Sequence, residues 1–346
     1  MWIEIIVAVI GISVAAKILP SFVLMSRFAY PNAKFSAISN AYIKEKEVAR
    51  LLDSKNLEDL KNNVVSRDFV LEGNSAEEIQ KSIDRAMVKI IRMAKDDSPP
   101  AVRDFYDAYL QRMDGENIKK AIREVMEGKE VGEYVMFSEE GNNLMEKIKR
   151  AEREELEEIL RKEGFNISLD MSQESIEREI DRVMILRMAE AKMPKSCVKA
   201  RDKFAGIMVD VINLKTLIRG KHYGKKEIEK NLIEGGWEIS EWRMKELLKI
   251  DSVAEIISML EGTSYMPYLR QAITDYEKKG VVALENALDR YMIKAAGEIS
   301  NECPMGIGPG IRFMVEKEYE ARNLKAISKA IEANMREEAW NVVVVV

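Results

Sequence analysis

The chain has a single histidine in 346 residues, His222. A Ser-His-Asp or Cys-His catalytic pair would have to use it, yet it sits in what reads as a polar turn, Gly220-Lys221-His222-Tyr223-Gly224, where a solvated role is expected. Two cysteines, Cys197 and Cys303, are too few and too distant in sequence for a disulfide framework or a zinc site, and a reducing compartment is expected. No excess of positive charge exists: 54 Lys and Arg face 59 Asp and Glu, a net charge of −5, which argues against a general nucleic-acid binder. Phosphate loops are missing too. Gly220-Lys221 runs into His222, and Gly306-Ile307-Gly308-Pro309-Gly310 has Pro309 where an amide donor would be needed, so it reads as a turn that starts a helix near Ile311. No cofactor, metal or catalytic constellation is expected.

What remains is a helix-forming composition. Prolines number only eight, methionines twenty, and 47% of residues are hydrophobic against 33% charged, the balance of a soluble globular chain. Residues 1–25 are apolar. Ile5 to Ala16 carries no charge, but Glu4, Lys17 and Pro20 bound it, and twelve helical residues span only about 18 Å of a roughly 30 Å hydrocarbon core. A plain transmembrane helix is not expected there, nor a signal peptide, since Glu4 stands where a cationic cluster should be. We expect an apolar helix that meets the membrane surface or an apolar partner, with Lys17 near the headgroups. Beyond Tyr30, Ala41–Leu52, Ala76–Lys95, Asn142–Arg161, Ser175–Lys192 and Val281–Ile299 place apolar residues three and four apart, and an all-α fold is expected. Breaks are expected at Pro99-Pro100, Pro194, Gly235-Gly236, Pro267 and Pro304. The tail Val342–Val346 reads as a frayed end or a small contact.

The chain also repeats itself. Ile83-Asp84-Arg85-Ala86-Met87, Ile180-Asp181-Arg182-Val183-Met184 and Leu288-Asp289-Arg290-Tyr291-Met292 share one pattern, 97 and then 108 residues apart. An acid-x-x-Asn-(Ile/Leu)-Lys pattern follows at Asp114 to Lys119, Asp210 to Lys215 and Glu320 to Lys325, so that Asn117, Asn213 and Asn323 lie 32 to 34 residues after the three Asp. Proline stands between the two patterns each time. A third pattern precedes both, at Leu57-Glu58-Asp59-Leu60, Leu156-Glu157-Glu158-Ile159 and Val253-Ala254-Glu255-Ile256. Recurrence in one order at near-equal offsets reads as triplication. Each unit is helix, proline turn, helix, with Asp-Arg on the polar face of the first helix and the acid and Asn on one face of the second. A surface or inter-helix ion pair is the expected role of Asp84, Asp181 and Asp289, with Arg85, Arg182 and Arg290 beside them as structural candidates of the repeat. A partial fourth copy at Asn32-Ala33-Lys34 suggests that the chain's ends close the arrangement. The expected division is an apolar segment 1–25, repeats 26–98, 99–194 and 195–304, and a closing helical segment 305–346.

Several segments resemble the C-type spacer of the V/A-type rotary ATPases, known in the eukaryotic machines as the d-type homologue. Arg27-Phe28-Ala29-Tyr30-Pro31-Asn32-Ala33-Lys34 is similar to that family's Tyr-Ala-x-Ala-Asn-Ala-Arg opening, with Pro31 in place of a small residue. Asn213-Leu214-Lys215-Thr216-Leu217-Ile218-Arg219-Gly220-Lys221 resembles its Asn-Leu-Lys-x-Leu-x-Arg-x-Lys segment, and Thr263-Ser264-Tyr265 its Thr-x-Tyr. Pro309-Gly310-Ile311-Arg312-Phe313, Lys317-Glu318 and Glu320 to Lys325 resemble its C-terminal signature. The match runs from about 26 to 340 and is weakest over 130–170. The resemblance implies three similar helical domains in a pseudo-threefold funnel. It also implies a non-catalytic central-stalk component that joins the shaft to the membrane rotor ring, on the cytoplasmic face of the cell membrane, in a machine that moves protons or sodium. The alternative from another class is a stand-alone helical scaffold with a membrane-associating N-terminus.

Overall fold

The structure, a computed structural model, describes Leu19 and residues 22–346. The apolar helix expected within residues 1–25 therefore falls largely outside the described residues. All regular structure among the described residues is helical, with no β-strand. Helix α1 covers 22–37. A 3-10 turn, Ala41–Ile43, leads to α2 (Glu45–Leu52), α3 (Leu57–Asn63) and α4 (Ala76–Asp97). Next come α5 (Arg103–Met126), α6 (Glu139–Arg150), α7 (Arg153–Lys162) and α8 (Gln173–Glu190). Then follow α9 (Lys195–His222), α10 (Glu241–Leu248), α11 (Val253–Met259), α12 (Met266–Lys279) and α13 (Val281–Glu302). Helices α14 (Gly308–Glu332) and α15 (Arg336–Ala339) precede an extended tail.

Local chemistry sets these boundaries. Ser75, Ser138, Ser172, Ser240 and Ser252 each accept an amide hydrogen bond from the first turn of the helix they cap, satisfying a donor the helix cannot. Pro99-Pro100, Pro194 and Pro304 fall in the turns joining α4 to α5, α8 to α9 and α13 to α14. Each of these helices has at least 18 residues. Their packing runs in a circuit: α4 on α5, α5 on α8, α8 on α9, α9 on α13, α13 on α14, and α14 back on α4. A main apolar core threads most of this circuit, and a second cluster, including Ile118, Leu144, Leu156 and Ile180, lies under α6 and α7.

Three boundaries differ from the periodicity. The stretch Ala41–Leu52 is a 3-10 turn followed by α2, because Lys44 between them is extended (φ −97°, ψ 131°). The stretch Asn142–Arg161 is not one helix but α6 and α7, because Ala151 turns into extended backbone (φ −79°, ψ 138°) and Glu152 restarts the chain with a capping box to Glu155. Neither Pro nor Gly marks that break. Helix α9 runs through Gly220 to His222, whose Nδ1 lies 3.0 Å from the Tyr276 hydroxyl, so the turn expected at 220–224 begins only after it.

Candidate functional site

The acid and Asn of each repeat do the same work on α5, α9 and α14: they hold backbone from outside the helix, reached after it on α5 and α9 and from both ends of the chain on α14. On α5, the Asp114 carboxylate accepts from the Phe137 amide (2.6 Å), the Ser138 amide (3.0 Å) and the Ser138 hydroxyl, while Asn117 donates to the Val135 carbonyl at 3.0 Å. On α9, Asp210 accepts from the Trp237 and Glu238 amides (2.9 and 2.8 Å) and the Tyr265 hydroxyl (2.7 Å). Asn213 exchanges two 2.8 Å bonds with the backbone of Ile233. On α14, Glu320 accepts from the Tyr42 amide at 2.9 Å, and Asn323 bonds both polar groups of Val344 and the Tyr42 carbonyl. The tail is thus no frayed end. Val344 stands on Asn323 as Ile233 stands on Asn213 and Val135 on Asn117, and Val343 and Val344 are buried.

Close approach explains two glycines. A Cβ on Gly141 would lie 2.1 Å from Asp114 Oδ2, and one on Gly236 would lie 2.3 Å from Asp210 Oδ1, so the first turn of α6 and the loop after α9 present bare backbone to their acids. Burial works against the ionised acids. It pushes Asp114 up to about 6 despite the bonds from Phe137 and Ser138, and it likewise raises Asp210 and Glu320.

The Lys of each repeat reaches the Asp of the next long helix in the circuit. Lys119 on α5 meets Asp181 on α8 at 2.5 Å, Lys215 on α9 meets Asp289 on α13 at 2.6 Å, and Lys325 on α14 meets Asp84 on α4. The last pair joins residues 241 positions apart. The Asp side chains therefore face a neighbouring helix rather than open solvent, and Asp289 is buried, also bonded by Arg322 (2.8 Å) and Tyr319 (2.6 Å). Burial pushes Asp289 up, but Lys215 and Arg322 outweigh it and hold the carboxyl below its ordinary value. The adjacent arginines do not share one contact: Arg182 pairs with Glu179 (2.6 Å), Arg85 lies 3.9 Å from Glu72, and Arg290 lines a surface hollow with Arg312 and Glu316. The partial copy also differs, because Asn32 donates to the carbonyls of Pro304 (2.9 Å) and Gly306 (3.1 Å) and Lys34 pairs with Asp97.

Between α5, α8, α9 and α14 lies a cleft of about 830 Å³. Its lining carries eight cations, Arg112, Lys119, Arg123, Arg178, Lys215, Arg219, Lys225 and Arg322, against five acids, Glu116, Glu174, Glu177, Asp181 and Glu318. This local excess of positive charge contrasts with the chain's net −5. Two of the repeat Lys and one repeat Asp open into it. The remaining charged lining residues were illegible as a set, because they come from four helices and the loop after α9, and each reads alone as a solvated charge. A buried cluster joins a motif acid to a residue no motif marked: Lys317, nearly inaccessible, pairs with Glu320 (2.7 Å) and with Asp68 (2.6 Å). Among the described residues, no His, Cys, Asp and Glu group has the makings of a metal site, and no helix is long and apolar enough to cross a membrane.

Residues 31–341 match the family described as ATP synthase (C/AC39) subunit. Relatives include the C subunit of the A-type ATP synthase of Methanocaldococcus jannaschii, 28% identical with 91% of this chain and 85% of the relative covered. The protein of the same name from Methanothermobacter thermautotrophicus is 27% identical, with 93% and 89% covered. That from Pyrococcus abyssi is 23% identical, with 90% and 88% covered. With nearly its whole length matched, the chain belongs to the ATP synthase (C/AC39) subunit family.

Proposed function

We propose that this chain is a non-catalytic component of an A- or V-type rotary ATP synthase, seated between the central shaft and the membrane rotor ring on the cytoplasmic face of the membrane. The observation that carries this reading is the circuit of six helices with the cationic cleft between them. A rotary coupler has to pass torque without yielding, and close-packed helices joined by buried ion pairs resist shear. The excess of cations in the cleft supports a shaft tip bearing exposed carboxylates, which would be steered and oriented there.

Three units suit this task. In this reading α5 to α8, α9 to α13, and α14 together with the N-terminal helices α2 to α4 form equivalent blocks. The segment 305–346 then completes the repeat 26–98. Residues 1–25 are the contact to the ring's apolar lumen or to the membrane surface, supported by the uncharged run Ile5–Ala16.

Reconstitution with the head, shaft and membrane sector tests the proposal. Arg123→Glu and Arg219→Glu lie in the cleft lining with half-exposed side chains, so they change its charge without emptying the core. Both together are expected to uncouple ATP hydrolysis from ion pumping while the head's hydrolysis persists. Normal coupling in an assembly lacking the chain altogether would overturn the reading.

A further inference from the structure

The two cysteines, 106 positions apart in sequence, meet at one corner of the fold. Cys197 is buried in the first turn of α9, and Cys303 is the half-buried residue that ends α13. Both are free thiols. Their sulfurs flank one bare stretch of backbone: a Cβ placed on Gly306 would lie 2.5 Å from Cys303 Sγ and 3.2 Å from Cys197 Sγ. Any side chain at Gly306 would push between them. On its other side Cys303 Sγ donates to the Ser196 carbonyl at 3.8 Å.

This corner also holds α1. Asn32 bonds the carbonyls of Pro304 and Gly306, within the turn that the cysteines bracket, and Phe35 stacks on Phe313 of α14 with ring centroids 4.9 Å apart. We propose that Cys197 and Cys303 are a reversible thiol–disulfide pair, oxidised by low-molecular-weight disulfides, whose bond locks the turn on which α1 rests.

The two thiols have different parts. The Cys197 thiol and the amides of Ile307 and Gly308 lower Cys303 to about 6, favouring its thiolate, whereas the Cys303 sulfur and burial raise Cys197. Cys303 is also the more accessible. The Cys303 thiolate attacks one sulfur of the reagent disulfide, whose S–S bond breaks to release a thiolate. Cys197 then loses its proton and attacks Cys303 Sγ in the mixed disulfide, and the second reagent thiolate leaves. Two protein thiols are oxidised to one disulfide, their two protons end on the departing thiolates, and the reagent is reduced to two thiols.

The test uses the full chain and oxidised glutathione at mildly alkaline pH, followed by alkylation, intact mass and peptide mapping. The expected product is monomeric, lighter by two hydrogens, free of glutathione, and carries one Cys197–Cys303 cross-link. Cys197→Ser is expected to stall as a glutathione adduct on Cys303. A wild-type chain that keeps a stable adduct, forms linked dimers, or leaves both thiols open to alkylation overturns the pair. Amide exchange at 305–308 is expected to slow about tenfold on oxidation. Unchanged exchange there, with the cross-link formed, overturns the locking.

Discussion

Asp289 shows how much one repeat residue carries. It is buried and answers two cations and a hydroxyl, so replacing it with Asn leaves Lys215 and Arg322 facing a neutral group. Both cations keep some solvent contact, which softens the loss. Asp289→Asn is expected to destabilise the chain by about 2–3 kcal/mol at neutral pH, read from urea denaturation. A cost below about 0.5 kcal/mol would place the pair among inert surface contacts. Asp114 behaves in the opposite sense. Its folded value of about 6 exceeds its ordinary 3.8, so the folded chain binds the proton more tightly. The linked stability is therefore complete below the ordinary value and is lost as pH rises through about 6. The stability of the wild type relative to Asp114→Asn is expected to grow as pH falls from about 6 to about 4. A difference flat across that window would show that the carboxyl titrates normally.

At the scale of elements, the C-terminal tail substitutes for a loop. Elsewhere the acid and Asn hold backbone that belongs to the next connection, whereas on α14 they hold Val344 from one end of the chain and Tyr42 from near the other. Val346 also donates to the Ile43 carbonyl at 2.9 Å. Removing residues 342–346 exposes that site and discards two buried valines, and is expected to cost about 3–5 kcal/mol. Asn323→Ala is expected to cost about 2–3 kcal/mol in the full chain, and much less once the tail is gone, because both changes break the same bonds. Strict additivity in that double-mutant cycle would mean the tail is held by something else. The long helices and their proline turns were legible in the sequence, since apolar spacing and proline act locally. The break at Ala151 was not, because it rests on a carboxylate reaching back to a backbone amide. Nor was the tail's place: a run of valines looks alike whether it frays or packs.

For the whole molecule, the decisive feature is that α14 packs on α4, which brings helices from near the two ends of the chain together. The proposed coupling role needs no nucleotide site, and the purified chain is expected to bind no ATP. Saturable micromolar binding by calorimetry would contradict that. Deleting residues 2–25 is expected to weaken attachment to the rotor ring and to membranes while leaving shaft binding intact. Equal attachment by the truncated chain would remove the proposed role of that segment.

Sequence alone determined the helical class, the three recurring patterns, the turns between long helices and the resemblance to the rotary ATPase spacer family. Each depends on residues near one another in the chain: helical periodicity, proline's missing donor, a motif's own spacing. Only the tertiary structure decided which copies meet. Lys325 and Asp84 lie 241 residues apart, and Asn323 and Tyr42 lie 281 apart. No spacing rule links such positions. Their contact follows from the path of every helix between them, as does the gathering of scattered cations into one cleft and of two distant thiols at one turn.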